Sequence, residues 1–401
     1  MQRLAELSAL GRTEHGIDRA LATPQERAAR ERFAGWAKAR GYVLTQDRAG
    51  NLFARRNGSR DGARPILCGS HLDTVATGGA YDGAYGVVGA LCALEALDER
   101  AVVTEHPVEA VAWAGEEGGR FPLGCLGSSV FTGACDVERA LALADREGVT
   151  LRDALASTDG GLLDEVDMRD DSRVAAYLEL HVEQGPVLER EGARLGIVTA
   201  IAGQRRYRVV VDGSSGHAGT VPMARRGDAV TAAAEMILAL EHAALAVGES
   251  VATVGRVSVE PNEPNVIGGR VVFSVDIRSP KDENIEAIES ALRKSAAEIN
   301  KRRTIAAIER LESHAPAPMD PKLRATLARS VEALGEKAID VPSGAGHDAM
   351  CLQRIAPTAM IFVPSIGGRS HVADEETAAD DLELGVAALA AAIADVDSLV
   401  I

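Results

Sequence analysis

The sequence has no excess of basic residues. Its 43 Lys and Arg stand against 59 Asp and Glu, a formal net charge of −16 over 401 residues. A phosphate backbone needs a positive footprint, so this balance excludes a nucleic-acid partner. Any small anionic substrate must be met by a locally placed Arg or His. Cysteines are few: Cys68, Cys92, Cys125, Cys135 and Cys351, an odd number, widely spaced and without a CxxC pair. That spacing argues against a disulfide framework and points to reduced thiols in a cytoplasmic protein. The first residues, MQRLAELSALGRTEHG, lack the apolar centre of a secretion signal. The late apolar run LGVAALAAAIADV is too short and too closely flanked by acids to span a bilayer, so it reads as an amphipathic closing helix and no membrane partner is expected. Neither an internal repeat nor a low-complexity linker is present.

The composition, 46% hydrophobic and 25% charged, is that of a soluble globular protein. Its length is more than one compact core normally holds, which predicts two domains. Thr23-Pro24-Gln25-Glu26 combines an N-cap, a first-turn proline and a capping-box acid, and predicts a helix to about Arg40 ended by Gly41. YVLTQDRAGNLFARRNG reads as a hairpin turning near Arg48-Ala49-Gly50. PILCGS and VEAVAWAG are short apolar runs separated by the helix-like YGVVGALCALEALDE, an order that predicts a mainly parallel sheet covered by helices. Residues 136–170 read as helical and acidic, and AAYLELHVEQG as a further strand.

From Arg205 to about Ser313 the pattern changes to β-α-β-β-α-β, the split βαβ arrangement of ferredoxin-like domains, with helices over 228–245 and 281–301. After Pro316 the helix–strand alternation resumes. The expected organisation is α/β: a discontinuous catalytic, metal-binding domain over 1–204 and 316–401, with a mixed, mainly parallel sheet, and an inserted ferredoxin-like α+β domain over 205–315.

Three apolar strand candidates end in residues able to bind metal: His71 after PILCGS, Glu116-Glu117 after VEAVAWAG, and His181 after AAYLEL. Ligands gather outside the carboxyl ends of strands in open α/β sheets, so these positions can converge. Asp82 lies on the glycine-flanked loop after His71, and His371 in the loop GGRSHVADEE after the strand TAMIFVPS. Two imidazoles beside an Asp suit one divalent ion, and a Glu and a His sharing that Asp suit a second. Taken singly, a strand-end His is more often structural and a Glu pair more often solvated. Five such positions at corresponding strand ends carry the reading jointly.

The ordered motifs GSHLDT, YDG, EEGGRF, ELHVEQGP, GHAGTVPM, PNVIGG, DIRSP, SGAGHDAM and GGRSH run through nearly the whole chain. With them the sequence resembles the hydantoinase/carbamoylase family of amidases, within the aminoacylase and carboxypeptidase-like dinuclear zinc hydrolases. The resemblance implies a zinc-peptidase-like catalytic domain and hydrolysis of the C–N bond of ureido acids, foremost N-carbamoyl-L-amino acids. Allantoate is the alternative substrate; a dipeptidase or aminoacylase ranks lower, because His181 stands where related peptidases use a carboxylate. It also implies two divalent ions per chain, Zn2+ or else Mn2+, Co2+ or Ni2+. Asp82 would bridge them, His71 and His181 completing one site, Glu117 and His371 the other.

Glu116 would be the general base and Asp73 would orient His71. Gln184, His217, Asn265 and Arg278 would contact substrate, with His217 stabilising the developing oxyanion across a homodimer interface made by the inserted domain. The local sequence around His217 suits a turn histidine bonded to its own backbone as well, and Arg278 suits a surface salt bridge. Two positions depart from the family pattern. Gly268 stands where proline is common, which loosens that turn. Arg369 replaces an apolar residue two before His371, where a guanidinium either binds a second anionic group or points to solvent.

Overall fold

The computed structural model describes residues 1–157, 163, 166–169 and 171–400. These divide into two compact units, Met1–Thr199 with Met319–Ile401, and Ala200–Pro318.

In the first unit the strand Ile66–His71 lies between Val108–Trp113 and Ala176–Val182, parallel to both. Thr358–Val363 extends the parallel set beyond Ala176–Val182. Every residue of these four strands is buried. Burial on both faces explains why they read as apolar runs rather than as alternating patterns. Antiparallel strands flank the set: Leu52–Arg56 and Val43–Gln46 on one side, Leu195–Ile201 on the other. The long helices Ala84–Glu99, Pro321–Ala333 and Ala379–Leu399 share one apolar core with the sheet. The helix Pro24–Ala39 starts as its capping pattern predicts, the Thr23 side chain accepting from the Glu26 N–H. Glycines admit close approach where the sheet and helix meet: a Cβ on Gly86 would lie 2.3 Å from the Leu180 carbonyl oxygen.

The second unit carries an antiparallel sheet in which Arg270–Ser279 pairs Gly203–Asp212, which pairs Ile305–His314. Val251–Thr253 and Val257–Glu260 line the other side of Arg270–Ser279. Burial alternates strictly along Arg270–Ser279, and the buried side packs on helices Ala229–Val247 and Asp282–Ile299. The helix Ala229–Val247 is mostly apolar, with Glu241 and His242 among its exposed residues. Met236 and Leu240 face the core, while Leu238 and Leu245 stand 51% and 75% exposed.

Two expectations need correction. Residues 136–170 hold two short helices, Val137–Leu141 and Leu151–Ala156, rather than one helical stretch, and part of the range lies outside the described residues. The Asp145 carboxylate accepts from the Glu147 and Val149 N–H groups and folds a turn there, with Gly148 left-handed. An Asp bonded to its own following backbone competes with helix. The single strand that the β-α-β-β-α-β order expects directly after the first helix is two, Val251–Thr253 and Val257–Glu260, interrupted where the Arg256 N–H donates to the Ser274 hydroxyl. The strand Leu195–Ile201 and the helix Val187–Glu191 were not expected from the sequence.

Candidate metal centre

The four parallel strands end on the same side of the sheet, so the segments leaving their carboxyl ends are brought together. Register places His71 opposite Trp113 and His181 opposite Phe362. Glu116 and Glu117 come after Trp113 and a turn at Gly115, and His371 lies on the loop after Val363. Asp82 sits at the entrance of helix Ala84–Glu99. Gly83 behind it has φ 61°, and a Cβ there would strike the His71 ring at 2.4 Å.

Asp82 is the centre of the cluster. Its Oδ1 lies 3.4 Å from His71 Nε2 and 3.3 Å from His181 Nε2. Its Oδ2 lies 3.1 Å from His371 Nε2, which is 3.6 Å from Glu117 Oε2. The two oxygens of one carboxylate thus serve two sets of donors. In each set, His71–Asp82–His181 and Asp82–Glu117–His371, the donor atoms lie within 4.8 Å of one another. The remaining nitrogens of the two strand histidines are also engaged. His71 Nδ1 faces the Asp73 carbonyl at 2.9 Å and His181 Nδ1 the Val182 carbonyl at 2.8 Å. A carbonyl can only accept, so a neutral ring keeps its proton on Nδ1 and turns the Nε2 lone pair toward Asp82; in His181 that lone pair accepts from the Gly83 N–H at 3.2 Å, a weak bond that an ion would replace. Imidazole and carboxylate donors with this tautomer fit a divalent transition metal.

The electrostatics point the same way. Burial, with the fields of Asp73 and Asp82, raises Glu116 to about 7 against the pull of His71. Burial and Asp82 raise Glu117 to about 8. The bond to Asp82 raises His371 to about 9. Burial works against charge on His71, but the bond to Asp82 and the fields of Glu116 and Asp73 outweigh it and lift its pKa well above 6.5. A cluster that holds extra protons in this way is one in which cations are favoured, and metal binding displaces those protons.

Asp73 lies beside His71, its carboxylate 3.6 Å from Nδ1, and does more besides. Its two oxygens accept from the Glu116 and Glu117 N–H groups at 3.1 and 3.2 Å, so one side chain sets the turn that carries both acids. Glu116 Oε2 is 3.8 Å from His71 Nε2. Gln184, with φ 60°, donates from Nε2 to Asp82 Oδ2 at 2.7 Å, and its buried Oε1 has no hydrogen-bond partner among the described residues.

The other candidates lie in the second unit. His217 and Asn265 are neighbours there: His217 bridges Val266, and the Ala218 N–H donates to the Asn265 carbonyl. Both are exposed, and His217 Nδ1 accepts from the Gly219 N–H at 3.0 Å. The neutral ring then carries its proton on Nε2. Arg278 forks onto Asp276, Nε to Oδ1 at 3.1 Å and Nη2 to Oδ2 at 3.2 Å. Gly268 is buried against the start of helix Ala229–Val247, where a Cβ would come within 2.5 Å of Val230. Arg369 pairs with Asp374 at 2.6 Å, both more than half exposed.

Sequence reasoning did not single out Glu179, His347, Asp348 or Glu375. Glu179 is fully buried, accepting from the Ser70 hydroxyl and the Ala349 N–H. His347 packs against the His181 ring, centroids 4.6 Å apart. Glu179 and the His347-Asp348 pair stood inside ELHVEQG and SGAGHDAM, but no local signal marks such residues as part of a site.

Comparison with known proteins adds to this geometry. The model of peptidase family M20/M25/M40 matches residues 67–395. An N-carbamoyl-L-amino acid amidohydrolase of Geobacillus stearothermophilus is 38% identical over 392 residues, 97% of this chain and 95% of the relative. An allantoate amidohydrolase of Bacillus subtilis is 40% identical over 353 residues, 87% of this chain and 85% of the relative. Among solved structures, a hydantoinase/carbamoylase family amidase from Burkholderia multivorans superposes with a TM-score of 0.92 at 37% identity, covering 98% of this chain and 95% of that one.

Proposed function

The chain belongs to the M20/M25/M40 peptidase family and, within it, to the hydantoinase/carbamoylase amidases, and from that premise we propose that it hydrolyses N-carbamoyl-L-amino acids. It is a metal-dependent hydrolase of C–N bonds outside peptides. The observation that carries the finer reading is the division of Asp82, one oxygen toward His71 and His181, the other toward His371 beside Glu117. On this reading those five residues hold two divalent ions, Zn2+ foremost. When bound, the ions supply Lewis acidity to a ureido carbonyl that is otherwise a poor electrophile, and make water easier to ionise.

The chain's own groups then have distinct tasks. Glu116, close to His71 and raised to about 7, takes a proton from the attacking water and delivers it to the leaving nitrogen. Gln184 Oε1, buried and without a partner among the described residues, accepts from a ureido N–H. The His217 Nε2–H donates to the carbonyl oxygen as charge develops there, and Asn265 acts beside it. Arg278, its plane set by Asp276, meets the substrate carboxylate.

We extend the proposal to a cytoplasmic homodimer formed through the unit Ala200–Pro318, in which His217 serves the partner chain's centre. The exposed Leu238 and Leu245, seven residues apart and so on one face of the helix Ala229–Val247, support it, since exposed large apolar side chains that line up are usually covered. Allantoate is the second reading, favoured by the 40% identical relative. A panel of N-carbamoyl-amino acids, allantoate and dipeptides, followed by ammonia and free-amine release, tests the assignment. Turnover should be highest on an N-carbamoyl-L-amino acid; turnover of dipeptides alone would overturn it.

A further inference from the structure

Of the donors around Asp82, His371 is the one least supported by its own element. His71 and His181 belong to buried strands, whereas His371 stands on a loop, 48% exposed in its side chain, with a left-handed φ of 58°. A non-glycine residue holds that conformation only where its surroundings impose it. Four residues further along is Glu375, 5% exposed. Its Oε1 accepts from the Tyr81 N–H at 2.8 Å and the Asp82 N–H at 3.0 Å, across almost three hundred residues of chain. Its Oε2 accepts from the Ser370 hydroxyl at 2.8 Å, and that hydroxyl also lies 3.2 Å from Asp82 Oδ2. Room for the carboxylate exists because residue 79 is glycine: a Cβ there would meet the Glu375 Cδ at 2.3 Å. The loops are tied once more where the Thr77 hydroxyl donates to the His371 carbonyl.

We propose that Glu375 is a positioning residue that joins the His371 loop to the Asp82 loop and thereby sets the affinity of one of the two ions, the one held by Asp82, Glu117 and His371. The inference rests on the two-ion reading. The ion held by His71 and His181 depends on strands that Glu375 does not touch. Asp82 itself stays anchored at the start of its helix, where the Ala84 N–H bonds to its carbonyl. Loss of the clasp therefore acts on one ion selectively. Partners behind metal ligands are typically worth about 10–100-fold in affinity, and the weaker-bound ion should lose that much.

The test is a chelator-competition titration of the metal-free, full-length protein with Zn2+, comparing the parent with Glu375→Ala and Glu375→Gln. Glutamine keeps an oxygen for the two backbone N–H groups and loses the acceptor for Ser370. We expect two ions in the parent, one of them weakened about 10–100-fold in Glu375→Ala, with smaller weakening in Glu375→Gln and the tighter ion unchanged in both. Two equally tight ions in Glu375→Ala, or parallel weakening of both, overturns the positioning role. Should the alanine variant not fold, a glutamine variant that binds both ions as the parent does overturns it instead. A parent that binds fewer than two ions overturns the two-ion reading, a distinct result.

Discussion

Glu116 and Glu117 are neighbours in the chain yet face different histidines, His71 and His371. Their division of labour comes from that, and separates base from ligand. Replacing Glu116 with Ala should leave both ions bound and lower kcat at least about 10²–10⁴-fold, the usual weight of a positioned general base. Replacing Asp82 with Ala should remove both ions. Metal analysis beside turnover checks both; an ion lost with Glu116 would mean that base and ligand are interchanged. The same residues set a pH dependence. Glu116 and Glu117 hold pKa values of about 7 and about 8, above the 4.5 of an ordinary Glu. The metal-free fold therefore binds more protons than the unfolded chain across that window and loses stability as pH rises through it. His371, raised to about 9 from 6.5, contributes stability that is complete below 6.5 and lost as pH climbs to about 9. Both effects have one sign. Melting of the metal-free protein should fall to lower temperature from about pH 5 to about pH 9, and the gain from added metal should widen. A metal-free melting temperature that rises over this range would contradict the assigned shifts.

At the scale of elements, the centre depends on how closely the helix Ala84–Glu99 lies on the strands carrying its histidines. Gly86 makes that possible, with the Leu180 carbonyl oxygen and the Ser70 Cβ 2.3 and 2.6 Å from where a Cβ would stand. Helix propensity alone says that Gly86→Ala stabilises by about 1 kcal/mol. The contact says the reverse, because the obstacle is backbone and the helix must lift to admit a methyl group. We expect a net loss of about 1–3 kcal/mol, as for overpacked cores, with weaker metal binding as Asp82 is carried off its histidines. Calorimetry of the variant with and without metal checks this. Long periodic elements such as Pro24–Ala39 were legible in advance, because capping and periodicity are local. The turn at Asp145 was not, since one side-chain bond to backbone outweighed a helical composition.

For the whole molecule, the prediction concerns association. If His217 serves the partner's centre, inactive His217→Ala and Glu116→Ala chains should complement when mixed. Random exchange makes about half the dimers mixed, each with one complete site, so activity should recover to about a quarter of the parent's for independent sites. Subunit exchange is confirmed separately by size-distinguished chains. Exchange without recovery would assign His217 to its own chain or to none.

The sequence by itself determined the α/β class, the strand ends rich in His, Asp and Glu, and the family, because apolar runs, caps and ordered motifs are properties of short stretches. Only the tertiary structure decided how those residues meet. The parallel pairing of Ile66–His71 with its two neighbours sets which donors share Asp82. The Asp73 carboxylate spans 43 and 44 residues to hold the two acids by their backbone. Glu375 reaches the Asp82 loop across 293 residues. Such contacts depend on register and packing between distant segments, and no periodicity in one segment encodes its distance to another.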